Sequence, residues 1–125
     1  MTSMAKRFSV VVLAAGSLLG FTAAAQAVGA CDSGAFCAYT AENFNDTYAH
    51  LEMFAANSDW PSSIDDGENS VWNNGTITAP VRVYDSTGYN DAHYCVYRTH
   101  RLNLPSDKDE DGQSHKWVSG ITGCY

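Results

Sequence analysis

Tyr39-Thr-Ala-Glu-Asn-Phe44-Asn45-Asp46 returns 45 residues later as Tyr84-Asp-Ser-Thr-Gly-Tyr89-Asn90-Asp91. At the same offset Asp66-Gly67 and Trp72 return as Asp111-Gly112 and Trp117, and Gly75 returns as Gly120. A fixed period marks a duplicated supersecondary unit that cannot bury its apolar face alone. Two copies, over about residues 35–79 and 80–124, therefore make one domain. On this alignment Leu51 is the counterpart of Val96, and Trp72 and Trp117 form a core pair.

The secondary structure follows from the repeat. Val81-Arg-Val-Tyr84 and Tyr94-Cys-Val-Tyr97 are rich in β-branched and aromatic residues and read as strands. Phe36-Cys-Ala-Tyr39 is the first-half counterpart of the former. Tyr48 to Phe54 has some helical spacing, but its repeat partner has strand character, so it is assigned as strand. Turn chemistry falls at Asn57-Ser-Asp59, Asp66-Gly67, Asn73-Asn74-Gly75, Ser86-Thr-Gly88 and Asp111-Gly112. Residues 105–116 read as a polar, acidic loop. Seven or eight short strands with regular turns predict an all-β sandwich or barrel.

The first 27 residues read as an export signal. Lys6 and Arg7 precede an apolar run from Phe8 to Phe21, and Ala25-Gln26-Ala27 supplies a small-x-small cleavage site. The remainder, 28–125, carries five basic residues against fourteen acidic ones, a formal charge of −9. Such a surface repels phosphate backbones, which argues against nucleic acid and anionic membrane as partners. A secreted monomer is expected, free of the membrane once the leader is removed.

Cys31, Cys37, Cys95 and Cys124 all fall in that remainder. An even count in a small exported chain reads as two disulfides, and three pairings are possible. Local spacing favours Cys31–Cys37 with Cys95–Cys124. Metal-site spacing of the CxxC type is absent. No nucleophile, base and oxyanion hole assemble from the sequence, so no enzyme is expected.

An aromatic, four residues, then Phe or Tyr, followed about twenty residues on by Asp-x-x-x-Ser, resembles the βγ-crystallin Greek key. The resemblance implies two keys forming one crystallin-like sandwich. Asp46 and Asp91 stand where the crystallin hairpin usually has Gly. Within that group the chain resembles the small exported bacterial metalloproteinase inhibitors. The features shared are a leader, the opening Cys31-Asp-Ser-Gly34-Ala-Phe-Cys37 and the stretch Asn69-Ser70-Val-Trp72-Asn-Asn74-Gly75-Thr76. This resemblance implies a secreted protease of the thermolysin-like class as partner. It also implies Cys95–Val96 as the reactive bond, with Val96 entering an apolar pocket. The family's loop closes with a further cysteine; here Arg98-Thr-His100-Arg101 stands in its place. The 57–63 turn is the next candidate segment.

A second constellation is acidic. Asp107-Lys-Asp109-Glu-Asp111-Gly112 matches the opening of a calcium loop, but Val118 falls where an EF-hand needs its closing Glu. Crystallin-type calcium motifs are approached by Asp65-Asp66-Gly-Glu-Asn69-Ser70 and Glu110-Asp111-Gly-Gln-Ser114-His115. The candidate calcium ligands are Asp65, Asp66, Ser70, Asp109, Asp111 and Ser114. Two other classes of function are therefore carried: a calcium-binding crystallin-type structural or cell-surface module, and a small secreted toxin of the same fold. Asn45-Asp-Thr47 and Asn74-Gly-Thr76 match the glycosylation sequon by pattern only.

Overall fold

The computed structural model describes residues 29–125, and the expected leader lies outside the described residues. The strand-forming runs become β1 (Phe36–Tyr39), β2 (His50–Met53), β3 (Ser70–Asn73), β4 (Val81–Ser86), β5 (Asn90–Val96), β6 (Arg101–Asn103) and β7 (Ser114–Trp117). They form two antiparallel sheets, ordered β2-β1-β3-β6 and β5-β4-β7. The chain is thus an all-β sandwich. The polar stretch 105–116 is not all loop, because its last three residues begin β7.

The two halves exchange their third segments. β6 belongs to the second half but pairs with β3 of the first. Reciprocally, Asn57 of the first half makes a two-bond bridge to His115 of β7, at 3.0 and 2.9 Å. Between the sheets Phe36, Ala38, Val71, Val81, Val83 and Val96 are fully buried and join Trp60, Ile64 and Tyr94 in one cluster. Burying such side chains is worth about 1.5–3 kcal/mol each, so the core depends on both halves.

The period of 45 does not persist. Tyr39 and Tyr84 are equivalent, as are Phe44 and Tyr89: Tyr39 meets Phe44 edge-on at 6.0 Å, and Tyr84 meets Tyr89 edge-on at 5.8 Å. Phe36 then pairs with Met53 whereas its counterpart Val81 pairs with Val96. Met53, not Leu51, is therefore the structural counterpart of Val96. The cause is a second hairpin three residues shorter, since Tyr39 pairs with His50 but Tyr84 with Ala92, and the bulge between Val83 and Tyr84 restores one of the three. Tyr39 pairs with Ser70 and Tyr84 with Ser114, so the later equivalences run one residue short of the sequence repeat.

That slip separates the two tryptophans. Trp72 lies opposite Cys37, with Phe44 at 6.3 Å and the Arg101 guanidinium 4.9 Å from its ring. Its structural counterpart is Lys116, which sits 4.6 Å from the Tyr89 ring. Trp117 packs instead against the central cluster. They are not a core pair. Of the two hairpin aspartates, only Asp91 takes the left-handed conformation, at φ 54°.

Candidate functional site

The sandwich has two unlike ends. One end holds the β3–β4 and β5–β6 connections, the start of β1 and the end of β2. The cysteines are joined as Cys31–Cys37 and Cys95–Cys124, the pairing that local spacing favours, and both bonds lie here. Asn73 is the centre of this end. Fully buried at the end of β3, it donates from Nδ2 to the Val96 carbonyl at 3.0 Å and accepts from Gly75 N–H at 3.1 Å. A buried amide side chain is kept only when it is satisfied in this way.

Around Asn73 four segments are tied by backbone bonds. Gly34 N–H donates to Asn74 O at 2.8 Å, and Asn74 N–H donates to Ala35 O at 2.9 Å. Thr99 N–H donates to Asn73 O at 2.7 Å, and Asn73 N–H donates to His100 O at 3.0 Å. Asn74 Nδ2 reaches Cys31 O at 2.8 Å, so this sequon side chain is used internally. Arg98 Nε donates to Gly75 O at 3.0 Å. The residue after Cys124 continues the bracing, since Tyr125 and β5 exchange bonds of 2.8 and 2.9 Å through Tyr97 N–H and Cys95 O. Thr99 is held at φ 68°, which a β-branched residue adopts only where its surroundings impose it.

Cys95 and Val96 are the last two residues of β5, and Val96 is fully buried in the central cluster opposite Val81. Val96 can enter a pocket on another protein only if this strand end leaves the sandwich. What the Cys95–Cys124 bond holds at the surface is the next stretch, in which Arg98, Thr99 and His100 are exposed. The 57–63 turn sits elsewhere, fixed by the Asn57–His115 bridge and by buried Trp60.

The exposed large apolar residues are concentrated at the disulfide end. Among the described residues Phe54 is 61% exposed, Ile77 51% and Tyr125 43% at this end, and only Tyr48, at 63%, lies at the other. Phe54 and Thr76 flank the Gly34 turn, at 3.6 and 4.0 Å from where a Gly34 Cβ would stand. Sequence reading missed Phe54 and Ile77, because it looks for apolar residues facing inward. One signal was available: Ile77 stands between threonines in a turn-rich stretch with no strand to bury it.

The opposite end is acidic and polar. Ser70 Oγ accepts from Phe44 N–H at 3.1 Å and donates to Ala41 O at 2.7 Å. Ser114 does the same for the second hairpin, with Tyr89 N–H at 3.3 Å and Ser86 O at 2.7 Å. The Asp66 carboxylate accepts from Gln113 Nε2 at 3.0 Å, and Asp111 lies 3.6 Å from His93 Nε2. Asp65 Oδ1 is buried without a partner, and its carboxyl is raised by burial and by neighbouring Asp66 and Asp59. Asp109 lies in the 105–113 connection, where its N–H donates to Pro105 O. Among the described residues no three carboxylate or histidine groups converge within 4.8 Å. The close group that does form, Cys31, Cys37 and Glu52, includes a closed disulfide and so lacks thiolates for a metal.

Two buried titratable groups join the halves near this end. Glu68 accepts from Tyr94 Oη and from Gly112 N–H, both at 3.1 Å. Burial pushes its carboxyl up to about 7, Asp111 adds to this, and the donors oppose it. Reciprocal bonds from Asp66 N–H to Gly112 O and from Glu110 N–H to Glu68 O repeat the pseudo-symmetry. Gly112 is required here by close approach, since a Cβ would stand 2.7 Å from the Trp60 ring. His115 accepts on Nδ1 from Trp60 Nε1 at 2.9 Å and donates from Nε2 to Ala55 O at 3.1 Å. Burial lowers its pKa to about 4, so the imidazole is neutral.

A family model described as peptidase inhibitor family I36 matches residues 24–96, which include β1 to β5, Cys31, Cys37 and Cys95. No curated protein matches the chain, and no solved structure does.

Proposed function

The chain belongs to peptidase inhibitor family I36, and on that premise we propose that the peptidase it blocks is a secreted, thermolysin-like metalloprotease. A family inhibitor is a binding protein rather than an enzyme, and its partner is a peptidase. The family match over 24–96 carries the reading. The resemblance of Cys95-Val96 to a reactive dipeptide beside a disulfide supports the metalloprotease class. Because Val96 is interior, contact passes to the tethered segment that follows, Tyr97 to His100. The exchange of third segments between the sheets supports reading each half as a crystallin-type Greek key.

Such a segment inhibits by being held in one shape before binding, which removes most of the ordering cost that a flexible peptide incurs. The bonds around Asn73 and the Cys95–Cys124 link supply that rigidity. The test is residual activity of a thermolysin-type metalloprotease and of a trypsin-type and a subtilisin-type serine peptidase against increasing purified protein. Inhibition of the first alone is expected. Inhibition confined to a serine peptidase overturns the metalloprotease assignment, and no inhibition of any overturns the reading.

A further inference from the structure

We propose that the surface applied to the peptidase is the whole disulfide-braced end of the sandwich, with Ile77 as the apolar anchor and Phe54 beside it. This rests on the inhibitor reading and deepens it. The occupant is the active-site cleft of a secreted peptidase that accepts a branched apolar side chain.

Three observations converge on this end. The first is where apolar surface is left uncovered. Clustered exposed apolar side chains mark interaction sites, and a few well-packed residues carry most of the energy of a protein contact. Phe54 and Ile77 are both more than half exposed, and their loops meet at the Gly34 turn. Neither residue belongs to a strand, since β2 ends at Met53 and the 74–79 connection runs outside both sheets.

The second is charge. The chain is strongly acidic, yet among the described residues Asp32 and Glu52 are the only side-chain carboxylates at this end. The rest, apart from interior Glu68, lie along the hairpins and the 57–66 and 104–113 connections at the far end. Stripping water from an unpaired carboxylate is costly, so a contact face is best placed where carboxylates are few. The free guanidinium hydrogens of Arg98 border this face, because only its Nε is used by Gly75 O. They suit an acidic rim on the partner.

The third is rigidity. The Ile77 carbonyl accepts from Ala79 N–H at 2.9 Å, and Gly75 at the loop's other shoulder is held between Asn73 and Arg98. Pro80 follows and fixes the exit into β4. A neighbouring loop is pinned at Thr99 in a left-handed conformation. An exposed apolar side chain on a loop fixed at both shoulders loses little freedom on docking.

The experiment uses the full chain after export and compares Ile77→Asp, Phe54→Asp and Tyr48→Asp. Tyr48 is equally exposed but sits at the acidic end, so it controls for loss of exposed apolar area. The inhibition constant is measured against the thermolysin-type enzyme and the two serine peptidases, with thermal melting as a check on folding. Expected are a loss of at least about 100-fold for Ile77→Asp, at least about 10-fold for Phe54→Asp, and under about 2-fold for Tyr48→Asp. If Ile77→Asp melts early, Ile77→Ala is read instead, with a loss of about 10-fold expected. Wild-type inhibition that survives both end variants overturns the assigned surface and leaves the inhibitor reading standing. A loss in Tyr48→Asp alone places contact at the acidic end and also overturns it. A wild-type chain that inhibits none of the three enzymes overturns both.

Discussion

At one end of the sandwich the connections are tied by Cys31–Cys37, Cys95–Cys124 and the buried Asn73 amide. At the other they are tied by Ser70, Ser114 and the Glu68 carboxylate. The first set is covalent or buried, and over it lie exposed Phe54 and Ile77. The second set is buried as well but wholly non-covalent, and over it lie carboxylates in water. A protein that must present an unsolvated surface without collapsing needs the former arrangement. The acidic end shows the latter, which holds turns and keeps the chain soluble.

The two covalent ties should differ in strength, and breaking each in turn is the largest test of that division. Cross-links limit the unfolded chain, more so for longer loops. The chain-entropy model gives about 4 kcal/mol for the link of separation 29 and about 2 kcal/mol for that of separation 6. Cys95→Ser with Cys124→Ser should therefore lower the denaturation midpoint more than Cys31→Ser with Cys37→Ser. The reverse order in urea titrations would mean that strain or residual structure, rather than loop length, governs this end. Against a peptidase the first double variant should also lose inhibition before it loses fold, because Tyr97 to His100 depends on that tether.

The sandwich itself was legible from the spacing of aromatics and turn residues, and each of the regions read as strand contains one. The register was not. The period places Leu51 in the role of Val96, but the shorter second hairpin, partly offset by the bulge at Val83/Tyr84, passes that role to Met53. A shortened hairpin leaves no mark in the offset between the turn motifs on either side of it, so the sequence period carries on past it. The tryptophans fail on a separate slip: the β4–β7 register runs one residue short of the β1–β3 register, which puts Lys116 where Trp72 sits in the other half. Asn73 reads as a turn residue because Asn-Asn-Gly is turn chemistry, and only the fold shows its amide serving Val96. Reactive-bond reasoning from Cys95-Val96 located the tethered segment but not the side chain at the surface, since burial depends on which way β5 faces.

The acidic end should respond to pH where the disulfide end does not. Glu68 titrates at about 7 when folded, above its ordinary 4.5. Its contribution is full below about 4.5 and is lost as pH rises through 7. His115 titrates at about 4, below its ordinary 6.5, so its contribution is full above 6.5 and is lost as pH falls through 4. Between about 4.5 and 6.5 the two slopes oppose, and the wild-type protein should show nearly constant stability. Glu68→Gln removes one slope. Its unfolding free energy should then rise by about 2–3 kcal/mol from pH 4 to 6.5, whatever its absolute level. A Glu68→Gln curve as flat as the wild type would show that the two groups are not what sets the profile.

The smallest contrast lies between the two serine ties. Each hydroxyl satisfies one hairpin N–H and one carbonyl, and replacing it with Ala orphans both at about 1–2 kcal/mol. The halves should not lose equally. Over the first hairpin the Trp72 indole and the Arg101 guanidinium both stack near Phe44, so water reaches the orphaned Phe44 N–H poorly. Over the second, the cover is the Lys116 ammonium beside Tyr89, a hydrated group that admits water to the Tyr89 N–H. The Tyr89 bond is also the longer, 3.3 against 3.1 Å. Ser70→Ala should therefore cost about 2 kcal/mol and Ser114→Ala about 1 kcal/mol in denaturant titration. Adding Trp72→Lys to Ser70→Ala tests the cause, since a wetter cover should bring the further loss from Ser70→Ala down to that of Ser114→Ala. If the gap between the serines persists in the Trp72→Lys background, the difference belongs to the hydrogen bonds themselves and not to what covers them.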